Sequence, residues 1–393
     1  MQFPILVINS GSSSIKFSLI DSSANEVLFS GMAERLGLPN ALLHWEENGE
    51  KQRAGLEPSS HKAAMASIIR LLEEKNLLDA VKAVGHRVVH GGEFFKTSTT
   101  INQEVIDAIK TCSPYAPLHN PANLIGIDAA LTALPNLPQV AVFDTAFHQS
   151  LPEHAYRYAV PQDWYTKYGV RRYGFHGTSH RYVSAEAARF LNIPLEDSAF
   201  ITAHLGNGAS AAAILNGKSV DTSMGFTPLE GLVMGTRSGD IDPGIPPYIS
   251  GAMDISPQEV NDILNKKSGL LGLSGISADM RELSAAAEKD DKAAGLALEV
   301  FVFRLAKYIA ALSISLPRID ALIFTGGIGE NAAGIRQKTL ERLAIMGFKV
   351  DKAANEAAVR GQQGLITTKD SIKAVVINTN EELMIAIETA NEL

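Results

Sequence analysis

Near the start of the chain, Asn9, Ser10, Gly11, Ser12, Ser13 and Ser14 stand between two apolar runs in VINSGSSSIKFSLI, residues 7–20. Residues this small and polar are ill suited to a buried turn, but their backbone N–H groups and hydroxyls can ring a phosphate, with Lys16 adding charge. Ile15, Phe17 and Leu19 alternate with Lys16 and Ser18, which puts Lys16 on one strand face with Ser14 and Ser18. The pattern predicts a strand, a phosphate-binding turn and a returning strand. Short Gly/Ser turns also close ordinary hairpins, so this turn alone is no code.

The chain repeats the device. FITAHLGNGASAAAILN, 200–216, is again an apolar strand, a Gly/Asn/Ser turn through Gly206, Asn207, Gly208 and Ser210, and a returning strand that ends in an Asn216-Gly217 hairpin turn. A third glycine-rich stretch, FTGGIGEN at 324–331, follows an apolar strand and precedes a helix-like run over 332–345. Strand, glycine turn and helix N-terminus suit the adenosine or α-phosphate end of a nucleotide. Two phosphate hairpins half a chain apart predict two related α/β domains facing one nucleotide. The order of hairpin, hairpin and adenosine turn resembles that of the actin-like ATPase and sugar-kinase superfamily.

Other elements must position the remaining polar residues. Pieces at 31–37 and 44–51, the latter turning at Asn48-Gly49, extend the first sheet, and residues 60–78 carry a helical apolar stripe. VGHRVVHGGEFF, 84–95, reads as a strand whose alternation places Arg87 beside Val89 on one face and His86, Val88 and His90 on the other. Asn120 as N-cap with Pro121 at the first helical position predicts a helix start just after His119. Residues 140–149 form a buried strand ending at Asp144, where open α/β sheets place their chemistry. Residues 171–191 read as a loop entering a helix capped near Thr178 or Ser179, with His176 at its mouth. The polar, Gly-rich segment 221–244 has Arg237 as its one cation, and loops of this length inside a compact domain are usually functional. The chain closes with a strand, a cap-like Asn378-Thr379-Asn380 and a helix carrying Glu381 in its first turn.

Composition narrows the class. The 393 residues are 46% apolar and 20% charged, enough for two or three domains with substantial cores. A net charge of −8 argues against a nucleic-acid or anionic-membrane surface. The single cysteine, Cys112, excludes intrachain disulfides and CxxC metal sites and fits a reducing compartment. The first residues pass directly into a strand with no signal-peptide pattern, so a cytoplasmic location is expected. The apolar stretch 296–316 is interrupted by Glu299, Arg304 and Lys307, as a core helix would be rather than a membrane span.

Several patterns point elsewhere and fail on context. Residues 206–211 satisfy the GxGxxG/A dinucleotide pattern, but the chain runs on from them into a hairpin, with no room for the helix that such a unit needs. Gly217-Lys218-Ser219 resembles the end of a P-loop, yet Ala212 stands where its first glycine belongs. His86 and His90 lie roughly 13 Å apart along a strand and cannot share a metal. His180, four residues beyond His176, reads as a helix-start residue, and Cys112 as an inert thiol with nothing basic beside it.

Taken together, LVINSGSSSIK (6–16), HRVVHGGE (86–93), VFDTAFH (142–148), RYGFHGTSH (172–180), the 221–244 loop, TGGIGEN (325–331) and NTNEEL (378–383) resemble the acetate kinase family over the whole chain. The resemblance implies two actin-like, ribonuclease H-like domains with a nucleotide cleft between them. They would be divided as 1–148 plus 380–393 and 149–379, the latter carrying the dimerisation surface of a homodimer. It implies transfer of a phosphoryl group from ATP to acetate, giving ADP and acetyl phosphate, with Mg²⁺ or Mn²⁺. By the same resemblance Asn9 and Glu381 would hold the metal, and Lys16 would lie near the phosphates. Arg87, His119, Asp144, His176 and Arg237 would form the catalytic cluster. His204, Leu205, Gly206, Asn207, Gly208, Asp279, Met280, Arg281, Gly327, Ile328, Gly329, Glu330 and Asn331 would contact the nucleotide.

The chemistry of these residue types agrees. Phosphoryl transfer depends on positioning and on neutralising three equatorial oxygens, which two planar guanidiniums and an imidazole can do. A carboxylate acceptor is already an anion at neutral pH, so Asp144 is expected to orient an arginine or metal-bound water rather than to act as a base. If Arg87 grips the carboxylate, Val89 lies near the methyl end, with Leu118, Phe175 and Pro228 as companions, which favours acetate over propionate. A propionate or other short-chain carboxylate kinase is the neighbouring alternative. A nucleotide-gated ATPase or chaperone on the same scaffold is the alternative from another class. It is disfavoured because Arg87 and Arg237 exceed what ATP binding needs and no stretch is left over for a peptide-binding domain.

Overall fold

The computed structural model describes residues 2–47, 49–117 and 119–393. The chain forms two compact units, Met1–Gln149 with Asn380–Leu393, and Ser150–Thr379.

The first unit is built on eight strands: β1 (Pro4–Ser10), β2 (Ser14–Asp21), β3 (Glu26–Glu34), β4 (Leu42–Glu47), β5 (Glu50–Gly55), β6 (Ala83–Val88), β7 (Thr99–Thr100) and β8 (Gln139–Phe143). Their spatial order is β5-β4-β3-β2-β1-β6-β8-β7. β1 is antiparallel to β2 and parallel to β6, which is parallel to β8. These three parallel strands are buried at nearly every residue, which is why their sequences are largely apolar instead of alternating. Edge strand β5, EKQRAG, is charged and exposed, which discourages pairing with another chain.

Helices cover both faces of this sheet. Leu6, Ile8 and Val84 share a core with Ile68 and Leu72 of the helix His61–Glu74 and with Ala129 and Ala130 of the helix Asn120–Ala133. Gly85 points oppositely to Val84, and there the helix Glu381–Glu392 lies so close that any side chain at Gly85 would run into Thr389 and Ile385.

The second unit has β9 (Ala199–Leu205), β10 (Ala209–Leu215), β11 (Lys218–Thr222), β12 (Ala321–Thr325), β13 (Gly364–Leu365) and β14 (Lys373–Val376), ordered β11-β10-β9-β12-β14-β13. Three antiparallel strands, β11-β10-β9, continue into parallel β12 and β14. That repeats the plan β3-β2-β1-β6-β8, so the two related α/β domains expected from the duplicated hairpin are both present. Asn216 and Gly217 have φ of 52° and 74°, the left-handed pair that a two-residue hairpin turn requires.

Four local expectations are corrected. β6 stops at Val88, because the N–H groups of Val89 and His90 donate to Asn123 Oδ1 and Asn120 Oδ1, each at 3.1 Å, instead of continuing a ladder. Strand alternation therefore does not fix the direction of Val89. Asn120 is not a cap but the first helical residue; its buried amide also donates to the carbonyls of His90 and Ile109, at 2.9 and 3.3 Å. The helix after the RYGFHG loop spans Gly177–Leu191, so it begins before Thr178 and Ser179, and His176 occupies the N-cap position. Finally, the glycine-rich turn is itself a short helix, Gly326–Asn331, ahead of a second helix, Ala333–Arg342. Of the remaining expectations, the Asn48 half of the Asn48-Gly49 turn lies outside the described residues. Among those residues no helix is long and apolar enough to cross a membrane.

Candidate active site

Each unit gathers its own cluster of polar side chains. In the first unit the cluster lies at the ends of β1, β6 and β8, where Asn9, Arg87 and Asp144 emerge. The first hairpin turn is held from behind by the helix Asn120–Ala133. Ser10 Oγ donates to Ala122 O at 3.0 Å, Asn123 Nδ2 donates to Ser10 O at 2.8 Å, and a side chain at Gly126 would overlap Ser10.

Arg87 Nε and Nη2 donate to Asp144 Oδ1 and Oδ2 at 3.1 and 2.7 Å, and Nη1 faces Asn9 Oδ1 at 3.4 Å. Asp144 is buried and Arg87 half-buried. The Asp144 charge, with a smaller contribution from Glu381, pushes the guanidinium pKa further up, so Arg87 is a permanent cation. Glu381 starts the helix Glu381–Glu392, which Asn380 caps by accepting from Leu383 N at 3.0 Å. Lys16, expected to face phosphates, is ion-paired with Glu382 from the same helix turn. His119 is half-buried at the N-cap before Asn120, and Val89 is buried. Leu118 lies outside the described residues.

In the second unit the turn between β9 and β10 is approached closely by two side chains. A Cβ on Gly208 would sit 2.9 Å from Arg237 Nη2 and 3.2 Å from His176 Nε2, so glycine there leaves room for both groups. Arg237 Nη1 donates to Pro228 O at 2.6 Å, and Gly235 N donates to Asn207 O at 3.0 Å, tying the 221–244 loop to itself and to the turn. His176 has φ 56° and ψ 24°, a left-handed conformation that costs a non-glycine residue about 1–2 kcal/mol. Its ring stacks on His204 with centroids 4.4 Å apart, and its Nδ1 is 2.9 Å from Ser210 Oγ. His180 Nε2 reaches the same hydroxyl at 2.8 Å, while Ser179 Oγ lies 2.8 Å from both His204 Nδ1 and Thr379 Oγ1. Phe175 is buried and Pro228 half-buried.

The other nucleotide candidates are spread more widely. Leu205 is buried, Gly206 half-buried and Asn207 exposed. Asp279 caps the helix Met280–Ala287 and pairs with exposed Arg281, whose guanidinium and backbone N–H bring the Asp279 carboxyl down to about 2. Met280 is a buried core residue. Gly327 and Asn331 are exposed on their short helix and Ile328 is half-buried. Buried Gly329 gives its carbonyl to Arg336 Nη1 at 2.9 Å. Glu330 Oε1 accepts from Gly326 N and Thr379 N, both at 3.0 Å, so one oxygen of this carboxylate fastens the turn.

Sequence reading passes over several of the residues that build this site. Arg172 Nη1 donates to the carbonyls of Thr222, Ser223 and Met224, each at 3.0 Å, and its Nη2 to Glu230 Oε1 at 2.6 Å; Tyr158 also hydrogen-bonds Glu230. This clamp holds the start of the loop that carries Arg237. Ser210, read as part of the turn, lies in β10, and His180, read as a helix-start residue, lies in the helix Gly177–Leu191 with its ring joined to His176 through Ser210. Among the described residues no group of three or more His, Cys, Asp or Glu could hold a metal ion.

The sequence model of the acetokinase family matches residues 4–387. The acetate kinase of Chromobacterium violaceum is 55% identical over 390 residues, covering 99% of this chain and 98% of that one. The acetate kinase of Thermotoga maritima is 54% identical over 392 residues, covering 98% and 97%. Among solved structures, a propionate kinase from Francisella tularensis superposes with a TM-score of 0.95 at 47% identity, each chain fully covered. The Porphyromonas gingivalis acetate kinase gives 0.94 at 45% identity, with 99% of each chain covered.

Proposed function

The chain belongs to the acetokinase family, and on that premise we propose that it transfers the γ-phosphoryl group of ATP reversibly to acetate, by direct in-line attack. The observation that carries this reading is the convergence of Arg237 Nη2 and His176 Nε2 on the Gly208 turn. A planar guanidinium and an imidazole nitrogen aimed at one Gly-rich turn form an arrangement for the equatorial oxygens of a transferring phosphoryl group.

An acetate oxygen forms the new bond to phosphorus as the bond to the ADP oxygen breaks, and no proton has to move. Arg87 holds the acetate carboxylate, and Asp144 holds Arg87. Because both oxygens of Asp144 face the guanidinium, its role is orientation rather than proton removal. His119 joins the anion-binding group, and Val89 of the same unit supplies apolar surface to the acceptor. The turns at 204–208 and 327–331 and the 279–281 triplet hold the nucleotide. Asn9 near the end of β1 and Glu381 in the first turn of the last helix supply hard oxygen donors, a set that fits Mg²⁺ or Mn²⁺ shared with phosphates and water, with no all-protein cage required. Bound with the nucleotide, the ion would neutralise phosphate charge. Large exposed apolar residues on the second unit's helices, among them Tyr248, Met253, Leu296 and Phe303, support assembly as a homodimer through that unit. A cytoplasmic location accords with the single reduced cysteine.

Acetate-dependent release of ADP from ATP, with trapping of acetyl phosphate by hydroxylamine, tests the reaction. ADP release unaffected by acetate would sink it. Propionate is the second acceptor to assay, because the chain resembles the Francisella propionate kinase as closely as the Porphyromonas acetate kinase.

A further inference from the structure

Behind His176 runs a hydrogen-bonded row of buried side chains. His176 Nδ1 is 2.9 Å from Ser210 Oγ, Ser210 Oγ is 2.8 Å from His180 Nε2, and His180 Nδ1 is 2.7 Å from Thr202 Oγ1. Ser210, His180 and Thr202 are all fully buried. They belong to three packed elements, β10, the helix Gly177–Leu191 and β9, so the row is fixed by the fold.

Each contact holds one hydrogen, and with neutral rings the row can be ordered in only two ways. In one order Thr202 O–H donates to His180 Nδ1, His180 Nε2–H donates to Ser210 Oγ, and Ser210 O–H donates to His176 Nδ1. His176 then carries its proton on Nε2, the atom turned towards Gly208. In the other order every hydrogen reverses, Thr202 O–H must turn to Ala212 O at 3.4 Å, and His176 Nε2 becomes a bare acceptor. The first order places the Thr202 hydrogen in a 2.7 Å bond and the second in a 3.4 Å one, at the edge of hydrogen-bonding distance.

We propose that Thr202, His180 and Ser210 act as a proton-ordering row that holds neutral His176 in its Nε2–H form. His176 is thereby a hydrogen-bond donor to an anionic oxygen without first becoming charged. Facing His176 are the stacked His204, His180 through Ser210, and the Arg237 guanidinium at the same turn. Ser210, His180 and Thr202 are positioning residues. The inference rests on the proposed function only for what the donor is used for.

The tautomer itself is read by ¹⁵N NMR of histidine-labelled protein at pH 8 without substrates. We expect a protonated Nε2 and a bare Nδ1 on His176; a protonated Nδ1 overturns the proposal even if phosphoryl transfer to acetate is confirmed. In Ser210→Ala both neutral tautomers become accessible, and we expect kcat to fall roughly tenfold at pH 8, less than the loss of a whole donor, with KM for ATP unchanged. Because the imidazolium donates from Nε2 in either case, that deficit should shrink as pH falls and the ring takes up its second proton. His180→Gln keeps an N–H towards Ser210 and should keep both the tautomer and the wild-type profile. A Ser210→Ala profile parallel to wild type, or loss of the Nε2–H form in His180→Gln, overturns the relay. Should a variant fail to fold, the wild-type spectrum still decides.

Discussion

Arg87 and Asp144 face one another through two parallel contacts, Nε to Oδ1 and Nη2 to Oδ2, with the carboxylate buried and the guanidinium reaching outward. A carboxylate engaged on both oxygens is placed to aim a cation. Asp144→Asn keeps the size but loses the charge and one acceptor. We expect kcat to fall on the order of 10²-fold, with a stability loss of about 1–3 kcal/mol, less than for a fully buried pair because Arg87 is partly solvated. Steady-state kinetics and urea midpoints measure both, and activity within about threefold of wild type would remove Asp144 from the positioning role.

Arg237→Lys retains charge but loses the planar fork and the tether to Pro228 O. The expected cost is about 2–4 kcal/mol of transition-state stabilisation with nucleotide affinity little changed, read as kcat against ATP dissociation measured by calorimetry.

Glu230→Gln tests the clamp behind that loop. Glutamine keeps the size but loses the charge and one of the two acceptor oxygens, so it can accept from Arg172 or from Tyr158 but not from both, and the loop should loosen while the fold survives. The expected outcome is a fall in kcat of about three- to thirtyfold, with the melting temperature lowered by a few degrees. Arg172→Ala, which abandons the carbonyls of residues 222–224 as well, should cost more on both measures.

Val89→Ala addresses acceptor size. One methylene in an apolar pocket is worth about 1–3 kcal/mol, so wild type should prefer acetate to propionate by roughly 10- to 200-fold, and the variant should narrow that ratio by improving propionate. An unchanged ratio would place the wall on other residues.

Acid stability has an identifiable contributor in His86. Burial pushes its pKa down to about 4, with the ring hydrogen-bonded to Gln139 at 2.7 Å. The unfolded chain takes up a proton near 6.5 that the folded protein refuses until about 4. Stability is therefore complete above 6.5, declines as pH falls between the two values and levels off below the lower one. The total is about 3 kcal/mol. Urea unfolding of wild type and His86→Gln at pH 7 and pH 5 should show a smaller acid loss in the variant.

Much of this is legible in the residues, and the exceptions have physical causes. Continuous apolar runs announce β1, β8, β9 and β12 because strands buried on both faces have no polar side to alternate with. The hairpins announce themselves through small residues that a buried turn would not tolerate. The boundaries that escape the sequence are those decided by distant partners. β6 ends where Asn120 and Asn123, some thirty positions on, take its N–H groups, and no local pattern carries that. The start of the His176 helix escapes because its cap residue sits in a left-handed conformation, which propensity assigns to glycine or asparagine. The Arg172 clamp is invisible for a related reason: one arginine of the Arg171-Arg172 pair reads as surface until three carbonyls are found around it.

The helix Glu381–Glu392 completes the first unit after the chain has passed through all of the second. During synthesis, then, the unit begun first is finished last. Until those final residues leave the ribosome, the bare face of β1, β6 and β8 has no cover and the Arg87 cluster lacks Glu381. The second unit, contiguous in the chain, can close beforehand. A nascent chain arrested before residue 380 should accordingly present a protease-resistant second unit joined to a first unit that chaperones still recognise.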